Sequence, residues 1–201
     1  MQIDKNNLYE LEILKQVEQS SKLNNRMAAV KLGCSVKLAH VILKRMVTKG
    51  LLNVNKLNSR NWEYFLTPTG ISEKAKLTYE FLQFSMTFYH EARKKSSQVF
   101  KDLADVGKTK IGFIGVGELA EISFLGIKEW NLELVEVYNS ISDSKFFGIP
   151  VLNYNDIMET KADALVVCLY SKIHPMSEKY LPDEINNHIS NDINLDLRWI
   201  F

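Results

Sequence analysis

The sequence predicts an α+β winged helix followed by a long linker helix and an α/β Rossmann-like domain with a mostly parallel sheet. Three stretches predict it. Residues 32–52, LGCSVKLAHVILKRMVTKGLL, pattern as a turn, an amphipathic helix and the opening of a strand. Residues 71–106 run without Gly or Pro and carry two apolar stripes. Residues 110–120, KIGFIGVGELA, set two glycines between an apolar strand and a helix start. The expected boundaries are 1–69, 70–107 and 108–201.

In chain order, LYELEILKQVEQS places Leu8, Leu11, Leu14 and Val17 three apart and reads as a first amphipathic helix, its acids turned away from the basic zone that follows. NNRMAAVKL begins with Asn at a capping position and sets Met27, Ala28, Val30 and Leu32 for a second, short helix. Gly33 supplies a positive-φ stop. Ser35 caps a third helix that buries Ala39, Ile42, Leu43 and Met46 and turns Lys37, His40, Lys44 and Arg45 outward. LLNVNKL and WEYFLT flank the turn-forming Asn58-Ser59-Arg60-Asn61 and predict a two-stranded hairpin with Arg60 at its tip.

Thr67-Pro68-Thr69-Gly70 punctuates the chain, and a helix from about Ile71 to about Val106 is expected after it. One stripe of that helix is Ile71, Ala75, Leu82, Met86 and Tyr89; the second is Leu77, Phe81, Phe84 and Phe88. A second copy of the chain is the expected cover, since helix-turn-helix proteins bind paired half-sites. The alternative is that the second stripe packs on the domain that follows. Beyond it, residues 110–114, 134–139 and 162–170 are expected strands, 147–151 a connector or strand, 154–160 a helical turn or two, and LDLRWIF a last strand. A helical stretch is expected over 174–189.

Composition sharpens the functional reading. The 201 residues carry a net charge of +1, but the charge is divided. Residues 1–110 hold 19 Lys/Arg against 10 Asp/Glu, and residues 111–201 hold 6 against 14. Residues 19–62 hold nine cations and no acid. A solvated helix face normally mixes both signs, so this zone points to a polyanion. Double-stranded DNA is the expected partner. Lys37 and His40 would face base edges, Val36 and Val41 thymine methyls, and Lys44, Arg45, Lys49 and Arg60 phosphates, with Ser35 at the helix start.

In the second half, Gly115-Val116-Gly117-Glu118-Leu119-Ala120 fits G-x-G-x-x-A in the context that a dinucleotide-binding turn requires. The candidate ligand residues are Gly115, Val116, Gly117, Glu118, Asn139, Tyr170 and Ser171. Glu118 sets a carboxylate where a phosphate would lie, and Asn139 stands where an acid would meet ribose hydroxyls. NAD(H) or a nucleotide-sugar are the candidate ligands. A nucleotide fold that binds nothing and only oligomerises is the competing reading.

No HExxH, GxSxG or Walker A lysine occurs, so no catalytic residue is assigned and an enzyme is not expected. His174 and His188 lack a neighbouring nucleophile. Cys34 and Cys168 have no CxxC partner, so neither a metal site nor a disulfide is expected. No run of 18 apolar residues occurs, and the N-terminal MQIDKNNLYE lacks a signal-peptide core. A cytoplasmic location is therefore expected. An enzyme acting on nucleotide-sugars or using NAD, with the winged helix as a protein contact, is the alternative from another class.

Residues 24–82, with LGCSVKLAHVILKRMVTKGLL followed by FLTPTGISEKAKLTYEFL, resemble the winged-helix regulators of the MarR type associated with exopolysaccharide loci. Residues 110–170, with IGFIGVGELA and FFGIPVLNYNDI…ADALVV, resemble the Rossmann domain of Rex-type redox-sensing repressors. They resemble equally the nucleotide-fold domain of sugar acyltransferases. These resemblances imply a dimeric DNA-binding regulator with a ligand near Gly115, Gly117, Asn139 and the Tyr170-Ser171 loop.

Overall fold

The computed structural model describes residues 4–20, 23–56, 62–141, 144–170, 176, 179–183, 185–186 and 196–201. The chain divides into two compact units, Met1–Met86 and Thr87–Phe201. The division falls inside a helix, whereas the sequence reading set that helix apart as a separate linker.

The first unit opens with α1 (Lys5–Gln19), α2 (Asn25–Leu32) and α3 (Val36–Thr48). An antiparallel hairpin follows, β1 (Leu52–Lys56) with β2 (Trp62–Leu66), paired from Leu52↔Leu66 to Lys56↔Trp62. Asn24 caps α2 by accepting from the Arg26 and Met27 amides, and α2 ends in the left-handed region at Gly33. Ser35 caps α3 through the Leu38 amide at 3.2 Å. Side-chain caps of this kind are each worth about 1 kcal/mol.

Ala39, Ile42, Leu43 and Met46 form the buried seam of α3, as their spacing predicts. The seam of α1 is different. Glu10, Leu11, Ile13, Leu14 and Val17 are buried, and Leu8 is exposed. In α2, Ala28, Ala29 and Leu32 are buried while Met27 and Val30 are exposed. The hairpin tip, and with it Arg60, lies outside the described residues.

The next helix, α4 (Pro68–Asp105), begins three residues before the position expected. Residues 67–70 do not break the chain. Pro68 is the first helical residue, a position where its missing N–H is no loss. Thr67 precedes it and accepts from the Gly70 amide at 2.9 Å, while its hydroxyl reaches the Gly50 carbonyl at 2.6 Å. Of the apolar stripes on α4, Leu77 is buried in the first unit. Ile71, Leu82, Met86 and Tyr89 of the first stripe stay 53, 55, 47 and 40% exposed, as does Tyr79, outside either stripe, at 63%. In the second unit, Phe88 packs against Tyr170 and Phe201 at centroid distances of 5.1 and 5.5 Å, so part of the second stripe is covered within the chain.

The second unit holds β3 (Lys110–Ile114), α5 (Glu118–Glu129), β4 (Glu133–Asn139), β5 (Lys145–Phe146), β6 (Ile149–Asn153), a 3-10 segment (Tyr154–Glu159), β7 (Ala164–Val167) and β8 (Leu197–Trp199). The sheet order is β5-β6-β4-β3-β7-β8. All neighbours are parallel except β5 with β6. Leaving out β5, the order is the 3-2-1-4-5 of doubly wound dinucleotide folds, with its switch point between β3 and β7. One face packs on Phe100, Leu103, Leu119, Ile122 and Ile127, and the other on Tyr154, Ile157 and Ile185.

The β4–β6 connection is a hairpin strand and not a helix, because Phe147 and Gly148 (φ 47° and 89°) make a two-residue turn with both residues left-handed. Phe147 stacks on Phe124 at 4.4 Å, which offsets the strain of that backbone. The strand expected over 162–170 is shorter, Ala164–Val167, with the Cys168 amide still donating to the Ile114 carbonyl beyond its end.

At the opposite edge the Asp163 carboxylate accepts from the Thr109 and Lys110 amides at 2.9 and 2.8 Å and ties the starts of β3 and β7 together. These amides, Lys110 first, hold its carboxyl below the usual carboxylate range. The stability this contributes is present above the unfolded-state pKa and lost as pH falls through the folded one. Asp163→Asn is therefore expected to flatten the acid limb of the stability–pH curve, read by urea unfolding from neutral pH to pH 3. An unchanged limb would show that these bonds contribute nothing.

Among the described residues no helix is long and apolar enough to cross a membrane, and no His/Cys/Asp/Glu group could hold a metal ion. Burial pushes the Cys168 thiol up to about 12, which makes it unreactive at neutral pH.

Candidate nucleic-acid interface and glycine-loop crevice

The outward face of α3 is built from its register. Because the seam is Ala39, Ile42, Leu43 and Met46, the residues between them must point out. Val36, Lys37, Leu38, His40, Val41 and Lys44 are all exposed, with Ser35 at the helix start. Three of the six are apolar, Val36, Leu38 and Val41 at 47, 42 and 52% exposure. The face is thus cationic at Lys37 and Lys44 and otherwise suited to methyl contacts.

Arg45 and Lys49 are placed differently from Lys37 and Lys44. Glu10 of α1 is 3% exposed and lies beneath both. Lys49 Nζ donates to its carboxylate at 2.8 and 3.2 Å, and Arg45 Nη2 stands 3.1 Å from it. Arg45 Nη1 also donates to Asn6 Oδ1 at 3.3 Å. The expectation that the acids of α1 turn away from the basic zone is corrected here. Glu10 sits under the carboxyl-terminal end of α3, and two of the cations assigned to phosphate are engaged by it. A signal for this was present. Glu10, Ile13, Leu14 and Val17 follow the helical i, i+3, i+4, i+7 pattern, with an acid at an apolar position.

A second contact was also not legible. Asn25 Nδ2 lies 3.3 Å from His40 Nδ1 and joins α2 to the exposed face of α3.

In the second unit the carboxyl ends of β3, β4 and β7 come together as the sheet order requires. The Gly115 amide donates to the Tyr138 carbonyl and the Cys168 amide to the Ile114 carbonyl, both at 2.8 Å. Gly115 (φ +99°) is closed in, because a Cβ there would meet Leu169 Cδ2 at 2.4 Å. Gly117 (φ +126°) is the N-cap of α5 and makes no side-chain cap bond, and a Cβ there would meet open space. The amide end of α5 therefore has no side-chain cap and stands beside open space at Gly117.

Val116 is half-buried at this turn and Glu118 is exposed. Burial first, then the charge of the Glu118 carboxylate, raises the Tyr170 pKa. Asn139, half-buried at the end of β4, accepts from the Tyr154 hydroxyl at 3.1 Å. Ser171, His174 and His188 lie outside the described residues.

No family model matches the chain, and no curated protein matches it. Among solved structures it is similar to MepR, a transcription regulator of the Staphylococcus aureus multidrug efflux pump MepA, at 18% identity and TM-score 0.37, over 51% of this chain and 78% of that one. It is also similar to RSP, a Rex-family repressor, at 11% identity and TM-score 0.31, over 98% and 88%. A third likeness is to human N-acetylserotonin methyltransferase in complex with SAM, at 11% identity and TM-score 0.30, over 81% and 65%. At TM-scores below 0.5 none of these likenesses carries the functional reading, which rests on the residues themselves.

Proposed function

We propose that the chain is a dimeric DNA-binding transcription regulator that sets α3 into the major groove of duplex DNA. The observation that carries this reading is the outward face of α3. Its residues are exposed, it lies within an acid-free stretch of forty-four residues, and a fully buried seam behind it fixes its direction. Lys44 contacts phosphate, and so in this reading does Lys37, which the sequence sets at base edges but which lies two turns from Lys44 on one stripe of α3; His40 faces base edges, and Val36 and Val41 meet thymine methyls. Arg60, Arg45 and Lys49 are further phosphate contacts, the last two in competition with Glu10. Binding to a mixed-sequence duplex, measured across salt concentrations, tests the reading. Replacing both Lys37 and Lys44 by Ala lowers the slope of log K against log salt by about two. An unchanged slope would remove the face from the interface.

A second copy covers the exposed stripe of Ile71, Leu82 and Met86, which is too apolar for a lone surface helix. Leu82→Glu shifts the chain to monomer in sedimentation equilibrium. A wild-type chain that sediments as a monomer at tens of micromolar would remove the dimer.

The uncapped start of α5 at Gly117, with open space beside it, supports a nucleotide-bearing ligand such as NAD(H) or a nucleotide-sugar. The exposed Glu118 supports the competing reading, in which the second unit binds no nucleotide, because it sets a carboxylate at the helix end that would face phosphate. Thermal shift against NAD(H), UDP-sugars, coenzyme A and adenine nucleotides separates the two. A ligand at a hundred times its Kd stabilises by about 2.7 kcal/mol, and no shift with any of them favours the ligand-free unit.

A further inference from the structure

Asn25 occupies the first turn of α2 and lines a cleft of about 580 Å³ with Asn24, Arg26 and Val36, at the surface that α2 and α3 share. Its Nδ2 lies 3.3 Å from His40 Nδ1, while its Oδ1 is buried without a hydrogen-bond partner. The amide has two orientations. As it stands, one acceptor is left unmatched. Reversed, the buried position would hold an NH2 group with two unmatched donors, which costs more. The favoured orientation makes Asn25 the donor and His40 Nδ1 the acceptor. A neutral imidazole that accepts at Nδ1 carries its proton on Nε2. The exposed ring of His40 is then a hydrogen-bond donor at its far nitrogen.

We infer that Asn25 is a positioning residue for base readout, fixing the His40 ring as an Nε2–H donor that selects guanine in the major groove. This rests on the DNA-binding reading above. Guanine presents two adjacent acceptors there, N7 and O6, whereas adenine sets its N7 acceptor beside an amino donor. A ring presenting a donor fits the first better than the second, and a ring with its proton on Nδ1 would not. Asn25 therefore adds base preference without touching DNA, and Lys37 and Lys44 add affinity without base preference.

The test pairs a measurement on the free protein with a selection. In the free wild-type chain, side-chain ¹H–¹⁵N NMR is expected to show the neutral His40 ring protonated at Nε2, and a ring protonated at Nδ1 overturns the inference. In selection from randomised duplexes, wild type enriches guanine at one position per half-site. Asn25→Ala and His40→Ala each lose that preference by about two- to tenfold, the strength of one hydrogen bond. The double variant loses no more than His40→Ala alone. Affinity for non-preferred duplexes and the salt slope stay unchanged in Asn25→Ala, which a merely structural defect would not allow. Retained guanine selection in Asn25→Ala overturns the inference alone. A wild-type chain that binds no duplex overturns it together with the DNA-binding reading. If Asn25→Ala does not fold, the NMR result on wild type decides.

Discussion

Gly70→Ala is expected to destabilise the first unit by about 3 kcal/mol or more, against the sign that helix propensity gives. Alanine inside a helix is ordinarily about 1 kcal/mol better than glycine. Here an added Cβ would stand 2.0 Å from the Leu51 carbonyl oxygen and 3.0 Å from its carbon. The obstacle is backbone, so no rotamer change relieves it. That carbonyl is also held in place, since the Thr67 amide donates to it at 3.2 Å and the Thr67 hydroxyl holds the adjacent Gly50 carbonyl at 2.6 Å. Relief requires the first turn of α4 to move off the strand entry at residue 51 and to give up those bonds. Overpacking against fixed atoms costs 1–3 kcal/mol and sometimes more, and an immovable carbonyl belongs at the upper end. Urea unfolding with amide exchange over the first 86 residues measures it, with Thr69→Ala as the exposed control. Equal stability of the two variants would show that the close approach carries no weight.

Glu10→Gln is expected to move two observables in opposite directions. Removing one member of a buried ion pair costs about 3–5 kcal/mol when the remaining charge is trapped. Here Lys49 is not trapped, since its side chain is 50% exposed and can turn to water, whereas Arg45 keeps Nε and Nη2 buried. The expected loss is therefore about 3 kcal/mol, at the lower end of that range. The freedom of Lys49 makes it available to phosphate. Each further phosphate neutralised steepens the salt slope by about 0.9, so the variant binds duplex DNA more tightly at low salt, with a slope about one larger. A variant that is less stable with an unchanged slope would show that Lys49 lies away from DNA even when released.

Amphipathic segments were read correctly from the sequence where one physical rule acts alone. The seam of α3 is set by spacing, the cap at Ser35 by its oxygen and position, and the β3–glycine–α5 passage by the change from an apolar run to helical spacing. Where two rules compete, the sequence misled. Pro68 and Gly70 read as punctuation, yet one opens α4 and the other lets it approach Leu51. Glu10 read as a solvated acid because its counter-charges are thirty-five and thirty-nine residues away in the chain. The order of the strands in the second unit is a matter of which edges meet, and local pattern does not encode that. Tyr154, which meets Asn139, and Asn25, which meets His40, are ordinary polar residues until the fold brings them to their partners.

The short turn at Phe147-Gly148 also governs how the second unit can meet other molecules. By folding β5 back onto β6, it covers the first part of the edge that would otherwise end the sheet on that side, from Ile149 to Val151, and Pro150 removes one donor from the pair. A strand from elsewhere finds only a short template at β6. Growth of the sheet from copy to copy, the route that leads to fibres, is opposed there by two residues and a stacked aromatic ring. Association of this chain is thereby steered away from strand pairing on that side and toward side-chain surfaces.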